Sequence, residues 1–390
     1  MLAVYLAPFY IIVNSYLLFR IHKWLGVCHV LFGKLWMRMI ISLVYVFLAV
    51  TPLIAFFLPA GGLRRILMLT GNYWLGFLLY LVLAVLAADV VCLFRFLITR
   101  KRIRRSALWG GICAGLVILV SLWGIWQARD IHVTPYEITV AKDGGALDDL
   151  NVVLIADLHL GYNIGTARMA DMVEKINEQN ADLVVIAGDI FDNEYEALDD
   201  PDKLADILQG IQSKYGVYAC YGNHDVEEKI LAGFTFGGSG KKESSRQMDG
   251  FLEKAGIRLL RDEAVWIADS FYLCGRADAQ KPGRGIRTRK TADRLAEELD
   301  TGRPVIVAEH EPQDFQELAE CGIDVALCGH THDGQMFPAN LIMKFLWENS
   351  YGYLKKDTLH TIVTSGVGLF GPNMRVGTIA EICRIKIHFQ

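Results

Sequence analysis

The stretch that decides the fold is VVLIADLH, which runs from Val152 to His159. Five apolar residues are followed there by an aspartate and, two positions later, a histidine. Four further apolar runs of strand length are followed within two residues by aspartate, asparagine or histidine. Short apolar runs bounded by turn residues indicate strands buried on both faces of an α/β sheet. The five predicted strands are Val152–Ala156, Leu183–Ala187, Val217–Tyr221, Val305–Ala308 and Val325–Cys328.

The polar residues that follow these strands are expected to meet at one edge of the sheet. Loops at the carboxyl ends of parallel strands form the usual ligand crevice of open α/β sheets. Between the first two strands, residues 167–180 space apolar side chains at helical intervals, which predicts a crossover helix. Of the eight histidines after residue 128, five fall in the polar blocks: His159, His224, His310, His330 and His332.

The blocks supply aspartate, asparagine and histidine side chains, but no thiolate. A single Asp-x-His or Gly-Asp pair is common in ordinary loops, so the information lies in the ordered set of five. Mixed imidazole and carboxylate ligands suit Mn²⁺, Fe or Zn²⁺, and the affinity order alone does not choose among them. The sequence therefore predicts a metal site of unspecified metal at the strand ends.

This ordered set resembles the signature of the calcineurin-like metallophosphoesterases, in particular their membrane-associated bacterial branch. The resemblance covers residues 150–385 and implies an α/β fold, arranged as a four-layer α-β-β-α sandwich. It also implies two divalent metal ions as cofactors, with one carboxylate bridging them. The first ion would be held by Asp157, His159, Asp189 and His332, and the second by Asp189, Asn223, His310 and His330.

The resemblance further implies in-line hydrolysis of a phosphoester, with one histidine that is not a ligand. His224 would contact the phosphate and protonate the leaving group, and Asp225 would orient its ring. Asp192 and Asn193 are either supporting groups or solvated loop residues. After the last histidine the family's related branch has Gly-Gly-Gln, whereas this chain has Asp333, which adds a carboxylate near the metals.

The first 128 residues differ in composition from the rest of the chain. Four apolar stretches there are long enough to cross a hydrocarbon core as helices, which predicts an all-α membrane domain of four transmembrane helices. The first stretch lacks the basic start and the cleavage site of a signal peptide. The four stretches cover residues 2–19, 39–58, 73–98 and 107–126.

Charge separates the same two parts. Residues 1–128 contain 12 Lys and Arg and one acidic residue, whereas the remainder contains 27 basic and 42 acidic residues. The basic residues concentrate in the first and third predicted loops, which by the positive-inside rule face the cytoplasm. The amino terminus and the metallophosphoesterase domain would then lie outside the plasma membrane. The acidic balance of the second part argues against nucleic-acid binding.

We predict a four-helix transmembrane anchor at residues 1–128, a linker with a strand-like segment at residues 129–150, and a metallophosphoesterase domain at residues 151–390. The glycine- and serine-containing stretch 232–250 is expected to be a mobile loop. The oligomeric state is not predicted.

A site held at the bilayer favours a phospholipid or a lipid-linked nucleotide, such as an acylated UDP-glucosamine, cleaved at a phosphoester or pyrophosphate bond. The expected partners are the bilayer and this phosphate-containing substrate. Two alternatives remain open. The domain is either a hydrolase of soluble nucleotides or phosphoproteins that is merely tethered to the membrane, or a metal-binding sensor without turnover.

Overall fold

The structure is a computed structural model that describes residues 2–101, 106–228, 230–231, 234–235 and 244–390. The chain divides into two compact units. The first comprises residues 1–126, 229–238 and 371–374, and the second comprises residues 127–228, 239–370 and 375–390.

The amino-terminal part is helical, as its apolar stretches predict. Three of its helices, α2, α3 and α4, are long and apolar enough to cross a membrane. Helix α1 contains the first predicted span and has 27 residues, but it is not among these three, so the fourth span stays a prediction. The helices are α1 Leu2–Cys28, α2 Leu35–Phe57, α3 Gly62–Thr99 and α4 Ala107–Gln127.

Polar side chains pair between these helices. The hydroxyl of Tyr45 in α2 donates a hydrogen bond to Oδ1 of Asn14 in α1, at 3.0 Å. Arg20 of α1 forms an ion pair with Asp89 of α3, the one acidic residue among the first 128. A polar side chain without a partner is energetically unfavourable in hydrocarbon. These pairs give the polar side chains of the apolar helices a partner and so reduce that cost in free energy.

The rest of the chain alternates strands and helices. Its strands are β1 Ile131–Val140, β2 Asp149–Ile155, β3 Leu183–Ala187, β4 Val217–Cys220, β5 Ile230–Leu231, β6 Phe234–Thr235, β7 Ile257–Leu259, β8 Glu263–Ile267, β9 Phe271–Gly275, β10 Val305–Ala308, β11 Val325–Cys328, β12 Gly352–Lys356, β13 Leu359–Val363 and β14 Ala380–Phe389. Its helices are α5 Thr166–Asn177, α6 Pro201–Gln209, α7 Arg246–Lys254, α8 Ala292–Ala296, α9 Phe315–Glu320 and α10 Ala339–Leu346.

The second unit contains two six-stranded mixed sheets. The first sheet has the order β1-β14-β2-β3-β4-β7, and the second has the order β12-β13-β11-β10-β9-β8. In the first sheet β2, β3, β4 and β7 are parallel, and β14 runs antiparallel to β2 and parallel to β1. In the second sheet β9, β10, β11 and β13 are parallel. The predicted α/β class is therefore confirmed, with mixed sheets.

Three apolar clusters hold the sheets in place. One joins α5, α6 and α7 to the first sheet, and another joins α8 and α9 to the second sheet. The remaining cluster contains side chains of β2 and β3 together with those of β10 and β11. All five residues of β3 are buried, which explains why this strand is apolar without alternation. The packing fixes the carboxyl ends of the strands, where the polar blocks lie.

Most of the loop expected at residues 232–250 lies outside the described residues. From Arg246 onward, however, this stretch is the beginning of α7 rather than loop. Ser245 caps the helix, because its side chain accepts a hydrogen bond from the N–H of Met248 at 3.1 Å. The buried side chains of Met248, Phe251 and Leu252 then anchor the helix to the core.

Candidate metal centre

The candidate metal ligands lie just beyond the carboxyl ends of five strands. Backbone hydrogen bonds hold the first two loops side by side: the N–H of Asp157 donates to the carbonyl of Gly188, and the N–H of His159 donates to that of Asp189, both at 3.0 Å. Asp157 and His159 follow β2, Asp189 follows β3, Asn223 follows β4, His310 follows β10, and His330 and His332 follow β11.

One group that could hold a metal ion consists of Asp157, His159 and His332. The Nε2 atoms of the two histidines are 3.0 Å apart, and Nε2 of His332 lies 3.3 Å from Oδ1 of Asp157. All three side chains are buried. A metal ion bound by all three side chains would compensate the charge of the buried carboxylate, which is costly when it is unpaired. The arrangement fits a metal ion.

A second group consists of Asp189, His310 and His330. Nε2 of His310 lies 3.0 Å from Oδ2 of Asp189 and 3.2 Å from Nδ1 of His330, which in turn is 3.0 Å from Oδ1 of Asn223. Nδ1 of His310 is 2.9 Å from the carbonyl of Ala187, which can only accept a proton. Nδ1 therefore donates a hydrogen bond to this carbonyl, which leaves Nε2 as the nitrogen that could bind a metal once it has lost its proton.

Asp189 lies between the two groups. Its Oδ2 is 3.0 Å from Nε2 of His310 and 3.8 Å from Nε2 of His159, so a single carboxylate oxygen reaches both sets of ligands. Its other oxygen accepts a hydrogen bond from the N–H of His224 at 2.8 Å, which fixes the orientation of the carboxylate. This is the geometry expected of a bridging ligand, although the bridging role itself stays a prediction.

Burial and neighbouring charges shift the pKa values of the side chains at the centre in both directions. Burial raises the pKa of Asp157 to about 6. Burial acts in the same direction on Asp189, but the positive charge of His310 and its neighbours outweighs it and holds the pKa of Asp189 well below its usual range. Burial lowers the pKa of His330 to about 3 and that of His224 to about 4. The unprotonated imidazole of His330 is the form that binds metals. Burial also acts to lower the pKa of His310, but the charge of Asp189 outweighs it and raises that pKa well above its ordinary value.

The backbone at the centre is conformationally unusual. Five of the seven candidate ligands have a left-handed backbone, with φ between 46° and 74°. Residues other than glycine rarely adopt this conformation, and where they do they cluster at functional sites. The five are Asp157, His159, Asp189, His330 and His332.

Two glycines permit the loops to approach each other closely. Gly188 has φ +80°, and a Cβ atom at this position would lie 2.6 Å from Nδ1 of His310. A Cβ atom at Gly222 would collide with Oδ1 of Asp189. The glycines that precede Asp189 and Asn223 in the sequence are therefore required by the packing of the centre.

His224 lies next to Asp189, and its ring is oriented by a residue other than the one that the sequence suggested. Nδ1 of His224 is hydrogen-bonded to Oδ1 of Asn193. The carboxylate of Asp225 is buried and accepts hydrogen bonds from two backbone N–H groups, at 2.7 and 2.8 Å. Asp225 thus stabilises the loop, and among the described residues Asn193 is the side chain that holds the His224 ring.

Two further carboxylates lie close to the centre. Oδ1 of Asp192 is 3.6 Å from Nδ1 of His159 and 3.9 Å from Nδ1 of His224, which makes these three a further group that could hold an ion. Asp192 faces the His159 nitrogen opposite to Nε2, so it can orient that ring for ligation. Asp333 is buried beside His332, and burial raises its pKa to about 6.

Aromatic side chains cover the histidines, and no sequence motif predicts them. The ring of Phe370 lies 5.6 Å from that of His159 and 4.8 Å from that of His224, between ring centroids. Trp347 packs edge-on against His330 at 5.2 Å. Apolar rings beside the histidines lower the local polarity, and electrostatic interactions are stronger in a less polar environment.

Arg375 holds the loop that leads to Phe370. Its side chain is fully buried, and its guanidinium donates hydrogen bonds to the carbonyls of Ser365, Gly366, Gly368 and Ile379 at 2.7 to 3.1 Å. Burial lowers the pKa of Arg375 to about 10, so the side chain remains charged at neutral pH. A lone arginine far along the chain has no local sequence pattern that reveals such a role.

Residues 150–334 match the sequence profile of the calcineurin-like phosphoesterase family. All seven candidate ligands and His224 fall within this match. The α/β domain with its cluster of aspartates, asparagine and histidines is therefore a calcineurin-like metallophosphoesterase domain, as the resemblance predicted.

Related proteins combine this domain with membrane segments in some cases. A zebrafish protein called transmembrane protein with metallophosphoesterase domain is 28% identical over 342 residues, which cover 82% of this chain and 75% of that protein. A metallophosphoesterase of Aquifex aeolicus, described as uncharacterized, is 29% identical and covers 70% of this chain and 97% of its own length. For a Helicobacter pylori relative with 26% identity, this chain spans 60% of the length.

Among solved structures, the Pseudomonas putida nuclease MPE is 15% identical, with a TM-score of 0.21 over 41% of this chain and 60% of that chain. A likeness at this level carries no argument about function. The chain thus contains a calcineurin-like metallophosphoesterase domain and three apolar helices of membrane-spanning length.

Proposed function

We propose that this chain is a membrane-bound hydrolase that uses two divalent metal ions, Mn²⁺, Fe or Zn²⁺, to cleave a phosphoester or pyrophosphate bond. The observation that supports this most is the position of Asp189, whose one oxygen reaches both His310 and His159. When bound, the ions would activate water for attack on phosphorus and neutralise charge on the phosphoryl oxygens.

The side chains around Asp189 have separate tasks in this proposal. His224 contacts the phosphate, since its ring lies beside the candidate ligands with Nε2 not engaged by Asn193. The negative charge of the bound phosphate raises the pKa of this ring from the value of about 4 that burial gives it, so that it can transfer a proton to the leaving oxygen. Asn193 keeps the ring in place, and Asp225 fixes the loop on which both Asn223 and His224 lie.

A phospholipid or a lipid-linked nucleotide, such as an acylated UDP-glucosamine, is the proposed substrate. The apolar helices support it, because an enzyme confined to a bilayer encounters lipid phosphates far more often than dilute soluble ones. We further propose that α1 is a fourth span and that the protein lies in the plasma membrane. The basic residues in the first and third predicted loops support a catalytic domain outside the cytoplasm.

The proposal is tested with the full chain in detergent micelles, stripped of metal and then supplied with Mn²⁺, Zn²⁺ or Fe²⁺. Hydrolysis of a chromogenic phosphodiester should return with metal and be lost in Asp189→Asn. The matched control is Asp171→Asn, which changes an exposed aspartate on α5 in the same way. Equal turnover in Asp189→Asn and in the wild type would mean that this centre is not the source of the activity.

The substrate class is tested separately by comparing micellar phospholipid and lipid-linked pyrophosphate with soluble nucleotides and a phosphopeptide. Higher kcat/KM on the micellar substrates supports the lipid proposal. Equal values support a hydrolase of soluble substrates that is only tethered. Metal binding without turnover on the whole panel supports the sensor alternative.

A further inference from the structure

Helix α10 presents an apolar face to solvent on the surface of the second unit. None of its residues is buried, and Phe345 is 90% exposed. Four of the exposed apolar residues lie in the helix and are one, three, four and five residues apart, which places them on one face; Phe337 precedes the helix. Soluble monomers rarely expose a contiguous apolar patch of this kind without a partner. The exposed apolar side chains are Phe337, Leu341, Ile342, Phe345 and Leu346.

This face begins at the edge of the metal centre. α10 follows the short loop that carries His330 and His332, and Trp347, the residue after the helix, packs against the His330 ring at 5.2 Å. A molecule that covers the apolar face therefore lies next to the candidate ligands. A ligand with an apolar tail and a phosphate at its end matches this juxtaposition.

The charge around the helix indicates a lipid surface as the occupant. Lys344 on α10 and Lys355 on β12 are exposed, and Lys356 is half-buried beside Glu348. An apolar helix face that carries an exposed lysine, here Lys344, is the pattern of helices that lie in the headgroup region of a bilayer, where anionic headgroups attract the cation.

The chain itself also keeps the second unit close to any bilayer that its apolar helices cross. Only three residues separate the end of α4 at Gln127 from the start of β1 at Ile131. Four peptide steps extend at most about 14 Å, so the tether to any membrane that α4 crosses is short. The bilayer is thus a more constant neighbour than a freely diffusing protein.

We propose that α10 and Phe337 form a lipid-contacting surface that enters the headgroup boundary of the bilayer. The contact with lipid requires neither metal nor turnover. Its consequence, that a lipid phosphate is delivered past Trp347 to the metal centre, rests on the proposed function.

Photocrosslinking tests the contact directly. The full chain, with p-benzoylphenylalanine in place of Phe345 or of Leu341, is reconstituted in phosphatidylglycerol–phosphatidylcholine vesicles whose acyl chains carry an alkyne. The matched control places the same group at Trp266, an exposed aromatic on β8 of the same unit. Illumination should give protein–lipid adducts at positions 345 and 341, several-fold above those at position 266.

A lipid adduct yield at both 345 and 341 no greater than at 266 overturns the proposal. Crosslinks from these positions to protein instead of lipid also overturn it, because they show that another part of the chain or a second copy covers the face. Because no catalysis is measured, either failure is distinct from a failure of the proposed function.

A second measurement tests whether α10 delivers a lipid phosphate to the metal centre. Phe345→Asp should lower kcat/KM on a micellar phospholipid by about tenfold or more, the scale of one phenylalanine side chain left in water. Turnover of a soluble chromogenic diester should stay the same, since Phe345 does not contact the centre. An equal fall on both substrates overturns the delivery role.

Discussion

At the level of single residues, His224 and Asn193 form a pair whose contribution is separable from metal binding. His224 is held by Asn193 through Nδ1, and its backbone N–H supports Asp189. A change of the imidazole alone leaves that backbone hydrogen bond in place. The chemical role of the ring is therefore accessible to mutation without removal of a candidate ligand.

We expect His224→Gln to lower kcat by about 10²–10⁴, the usual contribution of a general acid. The metal content, measured by mass spectrometry of the purified protein, should stay at the wild-type level. Asn193→Ala should give a smaller loss of kcat, because the ring remains but is no longer oriented. An unchanged kcat in His224→Gln would exclude the proton-transfer role.

Arg375, in contrast to His224, has a structural role. Arg375→Met removes the donors for four carbonyls, and each buried carbonyl left without a donor costs roughly 1–3 kcal/mol. The free energy of unfolding should therefore fall by about 3 kcal/mol or more, measured by denaturant titration in detergent. Arg384→Met, at an exposed arginine of β14, is the control and should have little effect.

At the level of helices and strands, much of the architecture could be predicted from the sequence. β3, β10 and β11 have the predicted limits, because fully buried strands are apolar throughout and turn residues follow at once. The predicted crossover helix 167–180 is α5, Thr166–Asn177. The sequence did not predict correctly which side chain holds the His224 ring. That side chain is Asn193 rather than Asp225, and the choice depends on how two loops from different strands meet.

Helix α7 offers a test of local propensity. Gly250 lies in the middle of this helix, and a Cβ atom there would meet no other atom within 4 Å. Gly250→Ala should raise the free energy of unfolding by about 0.5–1 kcal/mol, since glycine loses more backbone entropy than alanine on folding. A thermal melt in detergent micelles measures this, and a lower melting temperature would contradict it.

β14 lies between β1 and β2, and the three strands share an ionic cluster. Nε2 of His388 lies 2.7 Å from Oε1 of Glu137, and Nδ1 lies 2.5 Å from Oδ1 of Asp149. These carboxylates, Glu137 first, raise the pKa of His388 above its usual value. A raised histidine pKa stabilises the fold below the unfolded pKa, and this stabilisation is lost as the pH rises through the folded pKa.

His388→Gln should therefore lower the melting temperature at about pH 5.5 more than at about pH 8.5, on either side of the ordinary histidine pKa. The quantity to compare is the difference between wild type and variant at the two pH values. Val133→Ala, on the neighbouring β1, has no ionisable group and provides a pH-independent reference. An equal decrease at both pH values would exclude a contribution of the charged imidazole.

For the whole molecule, the division into an apolar helical part and an acidic α/β part could be predicted from composition. Apolar side chains favour hydrocarbon surroundings, whereas acidic side chains favour water. Sequence could not predict the exposed face of α10, since an apolar helix face is normally a sign of core. It could also not predict the strand order, which depends on long-range pairing.

The charge distribution further predicts the side of the membrane on which the acidic domain lies. In right-side-out vesicles from a bacterial host, added protease should digest the metallophosphoesterase domain without detergent, because the basic loops stay on the cytoplasmic side. A cytoplasmic marker protein that resists digestion confirms that the vesicles are sealed. Digestion only after detergent treatment would place the domain in the cytoplasm.

The position of β14 has a consequence for biosynthesis. This strand is the last one of the chain, yet it occupies an interior place in its sheet, between β1 and β2. During translation, β1 and β2 emerge from the ribosome more than two hundred residues before their common neighbour. Until then both present an unpaired edge, which is a site for aggregation. We therefore expect the nascent domain to be most prone to association before the segment that completes its sheet has been synthesised.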